Sequence, residues 1–237
     1  AYVLSRGKNR ISQEVYDLVL TTRKYFEEFE DTVTIFGPEN PTGIHKQIHQ
    51  VVLQQGQEVT TPAEINDGGV KKVVNKFVEY KPHKDNSYII PIIDHLSIMK
   101  QQQGYSVKQN IDKMSEYMIS LTNKYGVSPV YVMQVNRNIE QLDRFKAGSI
   151  EVQLSDFRDS SDPIFSSHCV FGLNCPYRFE IDSYRGYNIK LLKDRFRSIK
   201  LLKSRDGVSD IVVGLAFIGE IGLFKEDRKS TRLNSSH

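Results

Sequence analysis

An α/β fold is predicted for this chain: a mixed, mostly parallel sheet flanked by helices, with an antiparallel C-terminal edge. Three observations predict it. Tyr88–Ile93 is an almost unbroken apolar run, the mark of a strand buried on both faces. Ser106–Tyr125 carries Val107, Ile111, Met114, Tyr117, Met118 and Leu121 on one helical stripe, and Val130–Met133 is a second buried run. Strand, helix and strand at this spacing make a parallel βαβ unit with a right-handed crossover. Beyond them, Cys169–Leu173, Phe196–Leu202 and Ile211–Phe217 read as strands, and Gly219–Lys225 completes a terminal hairpin, which turns that edge antiparallel.

The earlier elements follow from spacing and punctuation. Ile11–Phe29 places Val15, Leu18, Val19, Tyr25, Phe26 and Phe29 at mixed three- and four-residue intervals, so it reads as an amphipathic helix, with Ser12 suited to cap it. Thr32–Phe36 is a short β-branched strand stopped by Gly37-Pro38. Thr42–Gln55 reads as a second helix. Gly56–Lys84 is polar, holds Gly68-Gly69 and shows no clear period, so it reads as a surface excursion with a helix allowed at Val70–Val78. Pro91 is unusual inside a central strand because it removes a ladder donor. No internal repeat is visible.

Bulk properties exclude several classes. The 237 residues, 39% hydrophobic and 26% charged, suit a packed globular core. No apolar run approaches the ~18–20 residues of a membrane helix. Two cysteines, Cys169 and Cys175, are too few for a disulfide framework and point to a reducing, cytosolic setting. A net charge of +3 permits nucleic-acid contact without arguing for it. The last eleven residues, 227–237, lack apolar periodicity and read as a non-native, adapter-derived tail, so the domain is expected to cover 1–226.

Four groups of residues carry candidate chemistry. Asp94 follows Ile92-Ile93 at the C-terminal end of a strand, the edge where open α/β sheets bind ligands. A carboxylate there can hold magnesium beside nucleotide phosphates; it can equally cap the next turn. Gln134 ends the next strand, ahead of Asn136 and Arg137, where an amide can sense a γ-phosphate or serve a turn. Gln141–Asp156 holds Arg144, Lys146, Gly148 and Ser149, spaced as a phosphate-backbone loop, but Asp143 and Glu151 also suit a solvated one. Lys203 and Arg205 alternate at the end of a strand before Asp206-Gly207, so both are expected on one face, as a finger pair or as solubilising charges. His45 and His49 have metal-ligand spacing but no evident third ligand, and His168, Cys169 and Cys175 lack the second half of a zinc site.

In this order the motifs resemble the C-terminal RecA-like ATPase domain of DnaB-type replicative helicases, in the divergent form found in phages. Asp94 in IIDHLSIM resembles the Walker B aspartate, and Gln134 in MQVNRNIEQ the glutamine of the family's QxNR motif. Asp156, Phe157, Arg158, Asp159 and Ser160 resemble the stretch after the family's second DNA-binding loop, which falls here at Arg144–Glu151. Lys203 and Arg205 resemble the K-x-R pair that reaches a neighbouring subunit's nucleotide. The resemblance implies a RecA-like fold, ATP and Mg2+ as cofactors, and ATP-driven translocation on single-stranded DNA. It further implies a homo-oligomeric, expected hexameric, ring in the bacterial or phage-infected cytoplasm, with primase and a helicase loader as partners. On that basis Asp94, Gln134, Lys203 and Arg205 are the catalytic and nucleotide-binding set, Asp94 the metal ligand, and Arg144, Lys146, Gly148, Ser149 and Arg158 the DNA-binding set.

The chain departs from the family in lacking a G-x-x-x-x-G-K-[ST] loop. It is therefore expected to be a fragment beginning after the second core strand, and inactive alone. Two other readings stand beside the helicase: another RecA-like ATPase, of recombinase or clock type, and a non-catalytic relative that binds DNA or partners.

Overall fold

The computed structural model describes residues 12–136 and 150–226. The tail read as non-native, 227–237, lies outside them. The chain divides into two compact units, one formed by 38–136 and 154–168, the other by the remaining described residues.

The first unit is built around the expected βαβ element. Helix α2, Pro41–Gln55, starts where Asn40 Oδ1 accepts from the Gly43 amide at 2.9 Å and Pro41 occupies the first turn. (Helix α1, Gln13–Glu30, belongs to the second unit.) Strand β3, Ile92–Asp94, runs parallel to β4, Val130–Val132, with Asp94 opposite Val132. Between them α3, Val107–Tyr125, opens with a capping box: Ser106 Oγ accepts from the Gln109 amide, and Gln109 accepts from the Ser106 amide. It closes at Gly126, whose φ of 69° needs a residue without a Cβ penalty. Ile48 and Val52 of α2, Ile111, Met114, Met118 and Leu121 of α3, and Leu96 and Val127 form the core, with Ile93, Tyr131 and Met133 packed onto it.

Three expectations need correction here. The polar stretch from Gly56 is a long hairpin, exposed along most of its length, and no helix forms at Val70–Val78. Strands β1, Gly56–Asp67, and β2, Val70–Pro82, pair antiparallel from Gly56↔Pro82 to Asp67↔Val70. Gly68 and Gly69 both have positive φ, as a tight two-residue hairpin turn requires, and that turn overrides any helix at Val70–Val78. Phe77 and Tyr80 pack edge-on against Tyr125, which ties the hairpin base to α3. Second, β3 and β4 are covered on one face only: Ile92 is 69% exposed and Val130 45%. The continuous apolar run therefore does not signify burial on both faces among the described residues. Pro91 falls just before β3, where its carbonyl still accepts from the Val130 amide, so the missing N–H costs no ladder bond. Third, Thr32–Phe36 forms no strand, and Ile35 is 90% exposed; no described strand pairs with it.

The second unit holds α1 and the antiparallel part. Strands β5, Cys169–Asn174, β8, Phe196–Ser204, β9, Ile211–Ile218, and β10, Leu223–Glu226, lie in the order β10-β9-β8-β5, every pair antiparallel. Between β5 and β8, β6, Ser183–Tyr184, and β7, Tyr187–Asn188, make a small hairpin, followed by a single helical turn, Ile189–Leu192. Ile150, Tyr184, Ile189 and Phe196 form the core of this unit. The antiparallel C-terminal edge is as expected. The mostly parallel sheet is not: β3–β4 is the only parallel pairing among the described strands, because every other connection there is a hairpin or loop rather than a crossover helix.

Candidate functional site

Asp94 ends β3, with its side chain exposed beside the half-buried Ile93. Gln134 lies two residues beyond Val132, the register partner of Asp94, and is also exposed. The parallel register thus brings the two residues to one C-terminal sheet edge from neighbouring strands. Strand β4 ends at Val132, so Gln134 leads the following loop rather than closing the strand. That loop is held at its root, where the Asn136 amide donates to the Asp156 carbonyl at 3.1 Å.

Next to this edge lie two buried polar atoms without a partner among the described residues, His95 Nδ1 and the Tyr131 hydroxyl. Burial alone pushes the Tyr131 hydroxyl well above the ordinary tyrosine range, so it remains a neutral donor. Sequence reasoning singled out neither, because an orphaned polar atom is a property of packing.

As a magnesium ligand, an exposed carboxylate at a strand end fits. Magnesium takes one or two carboxylates and fills its shell with water and phosphate oxygens. Among the described residues no cluster of three or more His, Cys, Asp or Glu could hold a metal by itself. The cradle for the phosphates does not fit any stretch of the sequence, which lacks the glycine-rich loop and its lysine.

The basic pair lies in the second unit. Lys203 is in β8, across from Val170, next to a register shift; Arg205 lies past the end of the strand at Ser204, in the bend that leads to β9. Strand alternation therefore does not set their common direction, contrary to the sequence expectation. The turn nevertheless brings them together. Partial burial, and then the charge of Arg205, lower the affinity of Lys203 for its proton. The Asp94–Gln134 pair belongs to the first unit and the Lys203–Arg205 pair to the second.

Of the expected DNA-binding residues, Arg144, Lys146, Gly148 and Ser149 lie outside the described residues. Arg158 is in the 3-10 segment Leu154–Ser160, which also holds the buried Asp156 and Phe157. The histidines on α2 have structural surroundings. His45 packs against the Tyr117 ring at a 32° tilt with centroids 4.5 Å apart, and burial lowers its pKa. His49 Nε2 lies 3.0 Å from the Tyr125 hydroxyl and 3.4 Å from Glu58. Cys169 and Cys175 are free thiols.

One polar cluster had no signature in the sequence. Glu151 accepts from Arg185 Nε at 2.7 Å, the Tyr184 hydroxyl at 2.8 Å and Lys200 Nζ at 3.2 Å; Lys200 also reaches Asp210 at 3.1 Å. Its members come from four separate segments, so no spacing rule links them.

No family model matches the chain, and no curated protein matches it in sequence. Solved structures do. The chain is similar to a solved ATPase domain, with a TM-score of 0.56 at 18% identity over 80% of this chain and 52% of that one. It is likewise similar to a DnaB-like replicative helicase whose structure was described with its interactions with primase, with a TM-score of 0.53 at 18% identity over 78% of this chain and 34% of that one. The chain thus spans about half the length of the first and a third of the second. Within that span, it has the fold of the ATPase domain of DnaB-type replicative helicases.

Proposed function

We propose that this chain is the C-terminal part of the ATPase motor of a replicative DNA helicase, which hydrolyses ATP with Mg2+ to move along single-stranded DNA and unwind duplex. The observation that carries the proposal is the β3–α3–β4 unit, with Asp94 at the end of β3 and Gln134 in the loop just after the parallel β4, at one C-terminal edge. In this reading Asp94 holds magnesium and Gln134 senses the γ-phosphate. The phosphate-cradling loop is, in this reading, not supplied by this chain. Lys203 and Arg205 serve the nucleotide of a neighbouring copy in a hexameric ring, as fixed cations that stabilise charge on the transferred phosphoryl. Arg144, Lys146, Gly148, Ser149 and Arg158 contact the single strand through its phosphates.

Primase and a loader are the proposed protein partners, and the cytoplasm of a bacterium or phage-infected cell the proposed location. No helix among the described residues is long and apolar enough to cross a membrane. The missing phosphate cradle supports a second reading, a non-catalytic relative that binds DNA or partners through the same fold.

The test is Asp94→Asn in the complete protein that carries this chain. Magnesium-dependent ATP turnover is expected to vanish, with the melting temperature unchanged because the side chain is exposed. Turnover at the wild-type rate would remove Asp94 from the metal site. A complete protein with no ATPase activity of its own would favour the non-catalytic reading.

A further inference from the structure

The cluster around Glu151 is oddly placed for a stabilising device. Lys200 and Glu151 are each less than a fifth exposed at their side chains, on the sheet face that also buries Phe196, Leu202 and Val212. Withdrawing charges from water costs free energy that pairing only partly returns, so apolar residues would stabilise this face at least as well. What an ion cluster supplies that an apolar one does not is fixed direction.

Each member has a definite place. Glu151 is immobilised: its neighbours Ile150 and Val152 are both buried, the Ile150 carbonyl accepts from Asn174 Nδ2 at 3.1 Å, and its carboxylate receives Arg185, Tyr184 and Lys200 as donors among the described residues. Those donors hold it in the ionised form against the opposing effect of burial. Lys200, in the middle of β8, joins this fixed anion to Asp210. Asp210 stands at the other end of the β8–β9 turn, just before Ile211, with its amide donating to the Leu201 carbonyl at 2.7 Å. The turn between Lys200 and Asp210 is the one that carries Lys203 and Arg205.

We infer that Lys200, anchored by Glu151 and gripping Asp210, is a positioning residue that aims the Lys203–Arg205 turn at the neighbouring copy's nucleotide. The inference rests on the proposed role of that pair. Lys200 touches no nucleotide itself. It closes the root of the turn, so that Arg205 presents its guanidinium from a fixed base instead of searching for its position at each turnover.

The test uses the complete helicase, with Arg205→Ala measured in parallel. Lys200→Met and Asp210→Asn each remove the grip. Asp210→Asn is the gentler variant, because Asp210 is exposed and has a φ of 64°, which asparagine tolerates. Both variants are expected to lower kcat about 10- to 100-fold, the cost of a misplacement near 1 Å. KM for ATP should stay at the wild-type value in both; Lys200→Met deprives the buried Glu151 of a donor and should lower the melting temperature, whereas the exposed Asp210→Asn should leave it unchanged, and Lys200→Arg should restore most of kcat. When doped into wild-type rings, the variants should depress turnover beyond their share, as Arg205→Ala does. If Arg205→Ala lowers kcat while neither Lys200→Met nor Asp210→Asn does, the positioning role is overturned and the finger role stands. If Arg205→Ala leaves kcat unchanged, the finger role fails and the inference falls with it. A kcat loss in Asp210→Asn matched by a loss of melting temperature, with no rescue of kcat by Lys200→Arg, also overturns it by marking the cluster as structural.

Discussion

Replacing Gly172 by alanine tests whether the second unit is organised as described. Gly172 is buried in β5, and a Cβ added there would stand 2.8 Å from Val152 Cβ and 3.2 Å from both Val152 Cγ1 and Leu202 Cδ1. Carbon atoms pack at about 3.5–4.0 Å, so Val152 must retreat by about 1 Å. It has little freedom to do so. Ile150 and Val152 are both buried, and Glu151 between them is held by three donors. Overpacking against a neighbour that cannot yield costs about 1–3 kcal/mol. In a chain of this length that corresponds to a fall of roughly 2–12 °C in melting temperature. Gly37→Ala is the matched control: a Cβ there meets nothing within 4 Å, so the change should lie within about 0.5 kcal/mol of zero. Urea denaturation of both variants, followed by circular dichroism, reads the difference directly. Equal midpoints for Gly172→Ala and Gly37→Ala would refute the close approach of Val152 to β5, and with it the anchoring of Glu151.

Two further outcomes concern the unit that carries Asp94. Ser106→Ala removes the acceptor of the capping box on α3 and should cost about 1 kcal/mol, measured as a lower urea midpoint with an unchanged slope; no change would show the cap to be idle. Asp112 on α3 is pushed above the usual carboxylate range, by burial first and then by the charge of Asp162, and its Oδ1 is buried without a partner among the described residues. A raised native pKa means that the folded state takes up this proton before the unfolded state does. The penalty is therefore present in full above the raised value and disappears as pH falls through it towards the ordinary value near 3.8. Asp112→Asn should accordingly stabilise the protein at neutral pH, with the gain shrinking in acid; a gain independent of pH would refute the assignment.

The sequence by itself determined the elements whose causes are local. Helix α3 was legible because its apolar stripe lies within one stretch of chain, and the Ser106 capping box and Gly126 stop that bound it in the structure are equally local. The parallel pairing of β3 with β4 followed from a rule about crossovers, so the shared edge of Asp94 and Gln134 could be inferred before any coordinates. The C-terminal strands were legible for the same reason: short apolar runs, separated by turns. Tertiary structure alone decided whatever depended on a partner distant in sequence. Thr32–Phe36 has strand composition but no described neighbour to supply its hydrogen bonds. The apolar run before Asp94 could not reveal that α2 and α3 cover only one of its faces. Val70–Val78 satisfied a helical pattern weakly, yet the Gly68-Gly69 turn and the Tyr125 ring selected the hairpin. Lys203 and Arg205 were visible as a pair, but their arrangement is set by a turn whose two ends are joined through Lys200 and Asp210. Glu151 and Lys200, 49 positions apart, form an ion pair that only the folded chain makes. Periodicity and capping act over a few residues and are written in order along the chain. Desolvation, steric fit and ion pairing act between surfaces, and those surfaces exist only after folding has brought them together.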